Sequence, residues 1–96
     1  LVPLGLAGTP FMPKSQFPDA SGAFLQALIA ARKGAGVSQA ELARRLGRDQ
    51  PFISLIERGV RRIDVIEFYA IATALGVDSV SLYAEVVRAM PATIQI

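Results

Sequence analysis

The 96-residue sequence contains no cysteine and no histidine. Disulfide scaffolds, thiolate zinc sites, cysteine nucleophiles and imidazole acid–base chemistry are therefore excluded, and no metal or cofactor is expected. Tryptophan is absent as well, and aromatic residues make up only 7 % of the chain. A sequence that is 52 % apolar must then build its core from aliphatic side chains and alanine, a mixture that favours helices. Long hydrophobic runs are also missing. Mean hydropathy is +0.42, yet no uninterrupted apolar stretch reaches the ~18–20 residues of a bilayer span. Phe68 to Val77 comes closest and is broken by Thr73 and Gly76. The expectation is one soluble helical domain without a membrane segment. With no paired carboxylates sharing a helix face, an enzyme is not expected either.

The charge present is unevenly placed. Between Arg32 and Arg62 stand eight basic residues and three acidic ones, a net charge of +5. Residues 1–31 balance at zero and residues 63–96 come to −3. A concentrated basic segment is the usual footprint of a polyanion partner, with a solvated basic surface as the plain alternative.

Pro3, Pro10, Pro13 and Pro18 punctuate the first twenty residues, so this stretch is expected to be extended or disordered. Leu1-Val2-Pro3-Leu4-Gly5 looks like a vector-derived protease-site remnant, and Met12-Pro13-Lys14-Ser15 reads as a native start. Residues 1–11 are accordingly set aside as a cloning tail, a genuine flexible arm being the competing reading.

Residues 21–90 read as a single domain of five short helices, and residues 91–96 as a C-terminal tail. Phe24, Leu25, Leu28 and Ile29 give the first helix its apolar face, closed by Gly34 and Gly36. Ser38-Gln39-Ala40-Glu41 has the form of a capping box and opens a helix that ends at Gly47. A third helix starts near Gln50-Pro51 and stops at Gly59. Asp64 caps a fourth, whose Phe68, Ile71, Ala72 and Leu75 face inward. Asp78 caps a fifth, with Leu82, Val86 and Met90 on one stripe before Pro91. No segment alternates as a strand would, so the fold class is all-α.

One spacing carries most of the functional information. Ala43 is followed after four residues by Gly47, after six more by Ile53 and after three more by Ile56. Two helices that cross steeply through a short turn need a small side chain at the contact, which Ala43 supplies. The turn needs a residue free to take positive φ, which Gly47 supplies. Ile53 and Ile56 would anchor the second helix by one edge and expose the other, a geometry that suits insertion into a major groove.

The stretch Gly36-Val37-Ser38-Gln39-Ala40-Glu41-Leu42-Ala43-Arg44-Arg45-Leu46-Gly47, followed by Gln50, Ile53-Ser54 and Ile56-Glu57-Arg58-Gly59, resembles the helix-turn-helix of the phage repressor/Cro-like (Xre family) transcriptional regulators. The resemblance runs from about Phe24 to Tyr83. It implies a five-helix lambda-repressor-like domain that binds double-stranded DNA, a cytoplasmic, nucleoid-associated location and a repressor role. Residue by residue, it implies base readout by Gln50, Pro51, Ser54 and Leu55, with Pro51 and Leu55 restricted to apolar contact with thymine methyls or to indirect readout. Ser38, Gln39, Arg48, Arg58, Arg61 and Arg62 fall where phosphates would be held. Arg32 and Glu57 match a pair that the family uses as an internal salt bridge.

Plainer readings stand beside these. Phe52 is expected to pack rather than to face DNA, and Leu55 to do either. Arg44 and Arg45 read as solvated charges or as phosphate contacts, and Tyr69 and Tyr83 as core or interface. A protein-interaction adaptor of the same fold, or an antitoxin that binds both DNA and a protein, are the rival functions, although no feature indicates a protein partner. One recognition helix spans too few base pairs to find a unique site, so a homodimer is expected. Tyr83, Val86, Val87 and Met90 on the last helix, with Ile94 and Ile96 in the tail, are its candidate interface.

Overall fold

A computed structural model describes the backbone of residues 13–95 and the side chains of residues 20–95. The expected tail of residues 1–11 lies outside the described residues. Among these the chain is all-α and forms five helices: α1 (Pro13–Gly34), α2 (Gln39–Arg45), α3 (Gln50–Glu57), α4 (Val65–Leu75) and α5 (Ser79–Arg88).

The first helix corrects the sequence reading. It begins at Pro13, not Ser21, so residues 13–20 are helical and not extended. Pro13 stands at the first helical position, where a missing N–H removes no intrahelical bond. Only Pro18 lies past the first turn, and a proline there costs ~3 kcal/mol or more in a regular helix. Burial offsets that cost from the next turn onward: Ala20 is buried, and Phe24 and Leu25 pack on the core about one turn later.

Local chemistry explains the remaining boundaries. Ser38 caps α2, its Oγ accepting from the Glu41 N–H at 3.0 Å. The reciprocal arm expected of a capping box is redirected, because the Glu41 carboxylate accepts from Arg44 and Arg45. At α4 both arms form: Asp64 Oδ1 accepts from Glu67 N–H at 2.7 Å, and Glu67 Oε1 from Asp64 N–H at 2.9 Å. Asp78 caps α5 through the Ser81 N–H at 2.9 Å. Gly47 turns the chain between α2 and α3 at φ +72°, a conformation that costs other residues roughly 1–2 kcal/mol.

The core joins all the helices from the second half of α1 onward. Leu28, Leu42, Ala43, Ile53, Ile56, Ile71, Ala72 and Leu82 are buried, and Ala43 and Ala72 have no exposed surface at all. α2 packs most closely on α3, α1 lies across α3 and α5, and α4 bridges α2 and α5. Arg45 adds a tie between α2 and the end of α4, donating to the Ala74 carbonyl at 2.8 Å. No helix among the described residues is long and apolar enough to cross a membrane.

α5 corrects a second expectation. Val86 is 3 % exposed, inside the core of its own domain, and Met90 packs against that core. Val86 therefore offers no surface to a partner, while Met90 is half-buried. Tyr83 and Val87, one turn apart on the outer side of the same helix, are 56 % and 51 % exposed.

Candidate nucleic-acid interface

α3 is held by one edge. Phe52, Ile53 and Ile56 face the core, and a large side chain at such a position is worth ~2–5 kcal/mol against truncation. Gln50 and Pro51 are exposed, and Ser54 and Leu55 are half-buried beside them. Pro51 sits in the first turn, where it blocks no helical bond. Ser54 Oγ donates to the Pro51 carbonyl at 3.3 Å, and the Ser54 carbonyl accepts from Arg58 Nε at 3.4 Å. Leu55 is thus neither fully packed nor fully outward.

The basic residues separate into those used internally and those at the rim of α3. Arg32 is 8 % exposed, and its charge serves the interior. Its Nε donates to Glu57 Oε2 at 2.7 Å, one terminal nitrogen to Glu57 Oε1 at 3.0 Å and the other to the Val37 carbonyl at 2.9 Å. Arg44 and Arg45 both grip Glu41, whose carboxyl is held down at about 2 from the usual 4.5 by those two guanidinium groups. At the ends of α3 stand Arg48, Arg58, Arg61 and Arg62, of which Arg48, Arg58 and Arg62 are exposed and Arg61 is half-buried.

Phe52 connects two of these. Its buried ring lies under the Arg48 guanidinium at 3.9 Å and the Arg61 guanidinium at 4.7 Å, measured to the ring centroid. Such contacts are worth ~0.5–1 kcal/mol each near a surface, and they orient the cation. Arg61 is fixed further by Glu67, with contacts at 2.9 and 3.3 Å. That pairing holds the Glu67 carboxyl below its usual range and raises Arg61. The packing expected of Phe52 is therefore present, but its role as a platform for two arginines was not foreseen. Neither was Glu67. The spacing of Arg61 and Glu67 across a turn capped by Asp64 was the available signal for that pair.

The polar side chains at the crossing of α2 and α3 form one connected chain. Gln39 Nε2 donates to Glu57 Oε1 at 2.8 Å, and Gln50 Nε2 donates to Gln39 Oε1 at 2.7 Å. The Arg32–Glu57 pair is thereby linked through Gln39 to the exposed start of α3. Ser38, already capping α2, lies exposed alongside.

The fold recurs in known proteins. The helix-turn-helix family model HTH_3 matches residues 28–82, from the middle of α1 into α5. The chain belongs to the XRE-type helix-turn-helix family of transcriptional regulators. An XRE-family-like protein from Pseudomonas syringae pv. tomato str. DC3000 superposes with a TM-score of 0.74 at 40 % identity, covering 81 % of this chain and 95 % of that one. An uncharacterized HTH-type transcriptional regulator, y4dJ of Sinorhizobium fredii (strain NBRC 101917 / NGR234), is 43 % identical over 51 residues, 53 % of this chain and 66 % of that protein's length. The clp gene regulator ClgR from C. glutamicum shares the fold, with a TM-score of 0.66 at 24 % identity over 77 % of this chain and 96 % of that one. XRE proteins are DNA-binding regulators of transcription and not a class of enzymes. In this member α2 and α3 are the helix-turn-helix, and α1, α4 and α5 are its frame.

Proposed function

We propose that this XRE-family protein is a sequence-specific repressor that acts by occupying an operator as a homodimer, in the cytoplasm and on the nucleoid. α3 enters the major groove, and Gln50, Pro51, Ser54 and Leu55 meet the base edges. Ser38, Gln39, Arg48, Arg58, Arg61 and Arg62 hold phosphates on either side. One observation carries the reading: α3 is anchored by Phe52, Ile53 and Ile56 and turns an open edge outward between arginines at both of its ends. A helix so anchored offers side chains to a groove while its flanking cations meet the two backbones.

The dimer surface that the exposed apolar side chains support is extended from the last helix and its tail to the groove between α4 and α5. Val65, Val80 and Tyr69 are 78, 76 and 59 % exposed there, next to Tyr83 and Val87. With Phe68 at its floor the groove holds about 310 Å³. Exposed apolar surface gathered in one place marks an interface more often than scattered residues do.

Selection of bound sites from random duplexes, read at two salt concentrations, tests this function. The expected result is a two-fold symmetric site with half-sites about one helical turn (~34 Å) apart. With ~4–6 phosphates neutralised per subunit, log K should fall against log[salt] with a slope of about −4 to −5 per subunit. Recovery of no preferred sequence, or an affinity indifferent to salt, contradicts it.

A further inference from the structure

We infer that Glu57, acting through Gln39, sets which edge of the Gln50 amide faces DNA, and so makes adenine rather than guanine the base that Gln50 reads. The inference rests on the operator-binding reading above and adds a positioning residue that never touches DNA. It follows from donor and acceptor chemistry along one chain of side chains.

A carboxylate can only accept hydrogen bonds. Both Glu57 oxygens accept from the Arg32 guanidinium, and the two side chains are 10 % and 9 % exposed. The Gln39 side chain that reaches Glu57 Oε1 at 2.8 Å must therefore turn its NH2 inward. Its carbonyl oxygen then points the other way and can only accept. Gln50 meets that oxygen with its own NH2 at 2.7 Å. What remains outward on Gln50 is its carbonyl oxygen with two lone pairs and one N–H. An adjacent acceptor and donor match the N6–H donor and N7 acceptor of adenine.

Reversing the chain reverses the match. Were Gln39 to turn its NH2 toward Gln50, the Gln50 oxygen would accept from it and both Gln50 N–H groups would face outward. Two donors suit the O6 and N7 acceptors of guanine. The negative charge of Glu57, two side chains away from the base, excludes that arrangement. Gln39 and Gln50 by themselves have no polarity, because either amide can be turned over at no cost in shape.

The test compares wild type, Glu57→Gln and Gln39→Ala on the selected duplex and on a copy changed from A·T to G·C at one pair. That pair is the one whose preference Gln50→Ala abolishes. Wild type should favour adenine there by roughly ten- to a hundredfold. Glu57→Gln supplies an amide that can donate as well as accept, so Gln39 is free to turn and the adenine preference should collapse toward parity. Gln39→Ala should lower the same ratio while leaving the Arg32–Glu57 pair in place, and the double variant should lower it no further. A role for Glu57 in stability alone predicts equal weakening on both duplexes with the ratio intact, and that result overturns the inference. If Glu57→Gln proves unfolded by circular dichroism, Gln39→Ala decides, since Gln39 is only half-buried at the start of α2 and its truncation leaves the ion pair intact. A wild type that prefers guanine at this pair also overturns it. A wild type with no sequence preference overturns the operator-binding reading itself, an outcome distinct from a preference that ignores Glu57 and Gln39.

Discussion

Arg32 and Glu57, 25 residues apart in sequence, close a two-bond ion pair between the end of α1 and the end of α3. Their side chains are nearly buried, so each charge depends on the other for its solvation. Removing one partner should cost ~3–5 kcal/mol, because an uncompensated buried charge is left behind. Replacing both by apolar residues of similar size, as in Arg32→Met with Glu57→Leu, should cost less than either single truncation to alanine. A double-mutant cycle on urea unfolding checks this, and independent, additive effects would contradict it.

Phe52 has a second function besides filling the core, since two guanidinium groups rest on its ring. Phe52→Leu keeps an apolar side chain at the site but removes that platform. Stability should fall by about 1–3 kcal/mol, from lost packing and two cation–ring contacts. Duplex binding should weaken to a similar extent on selected and scrambled sequences, because Arg48 and Arg61 serve the backbone. Anisotropy titrations on both duplexes measure this, and a loss confined to the selected sequence would move Phe52 into base recognition.

Much of this was legible in the chain because the signals are local. The Ala43, Gly47, Ile53 and Ile56 spacing defines the turn and the anchored edge of α3, and Asp64 and Asp78 mark where α4 and α5 begin. The start of α1 was not legible, because proline spacing reads as a break even where Pro13 only opens a helix. The Gln39–Glu57 and Phe52–Arg61 contacts were not legible either. Each depends on how helices and turns cross, which no short window of sequence records. Val86 illustrates a conflict within the pattern itself: its i, i+4 relation to Leu82 places it in the core, while its apolar character invites a role at an interface.

With no histidine in the sequence, stability should be flat between about pH 5.5 and 8. Below that it should decline. Glu41 is held down at about 2 by Arg44 and Arg45, Glu67 is lowered by Arg61, and Asp78 is lowered by the Ser81 N–H. Groups whose folded pKa is depressed contribute fully above their unfolded values and lose that contribution as pH falls toward the folded ones. The loss should therefore begin near the usual 4.5 of a glutamate and run down to about 2. Added salt should shrink it, since these pairs are exposed. Thermal melts across pH check the shape, and a transition centred between pH 6 and 7 would contradict it.

The dimer surface gives opposite expectations for two adjacent valines. Val87 is half exposed and Val86 is buried. Val87→Asp, like Val80→Asp in the neighbouring groove, should yield a folded monomer with weakened operator binding. Val86→Asp should unfold the domain instead, because it places an unpaired carboxylate in the core. Sedimentation with circular dichroism separates the two, and a Val87→Asp/Val80→Asp protein that remains dimeric would place the interface elsewhere.

The division of labour on α3 is tested most directly by measuring Gln50→Ala and the Arg61→Ala/Arg62→Ala pair on a selected and a scrambled duplex at one salt concentration. Gln50→Ala should lose ~1–3 kcal/mol on the selected duplex and almost nothing on the scrambled one. The arginine pair should weaken both by the same factor. Equal losses from Gln50→Ala on the two duplexes, or a sequence-selective loss from the arginines, would contradict the assignment of α3 as the reading helix.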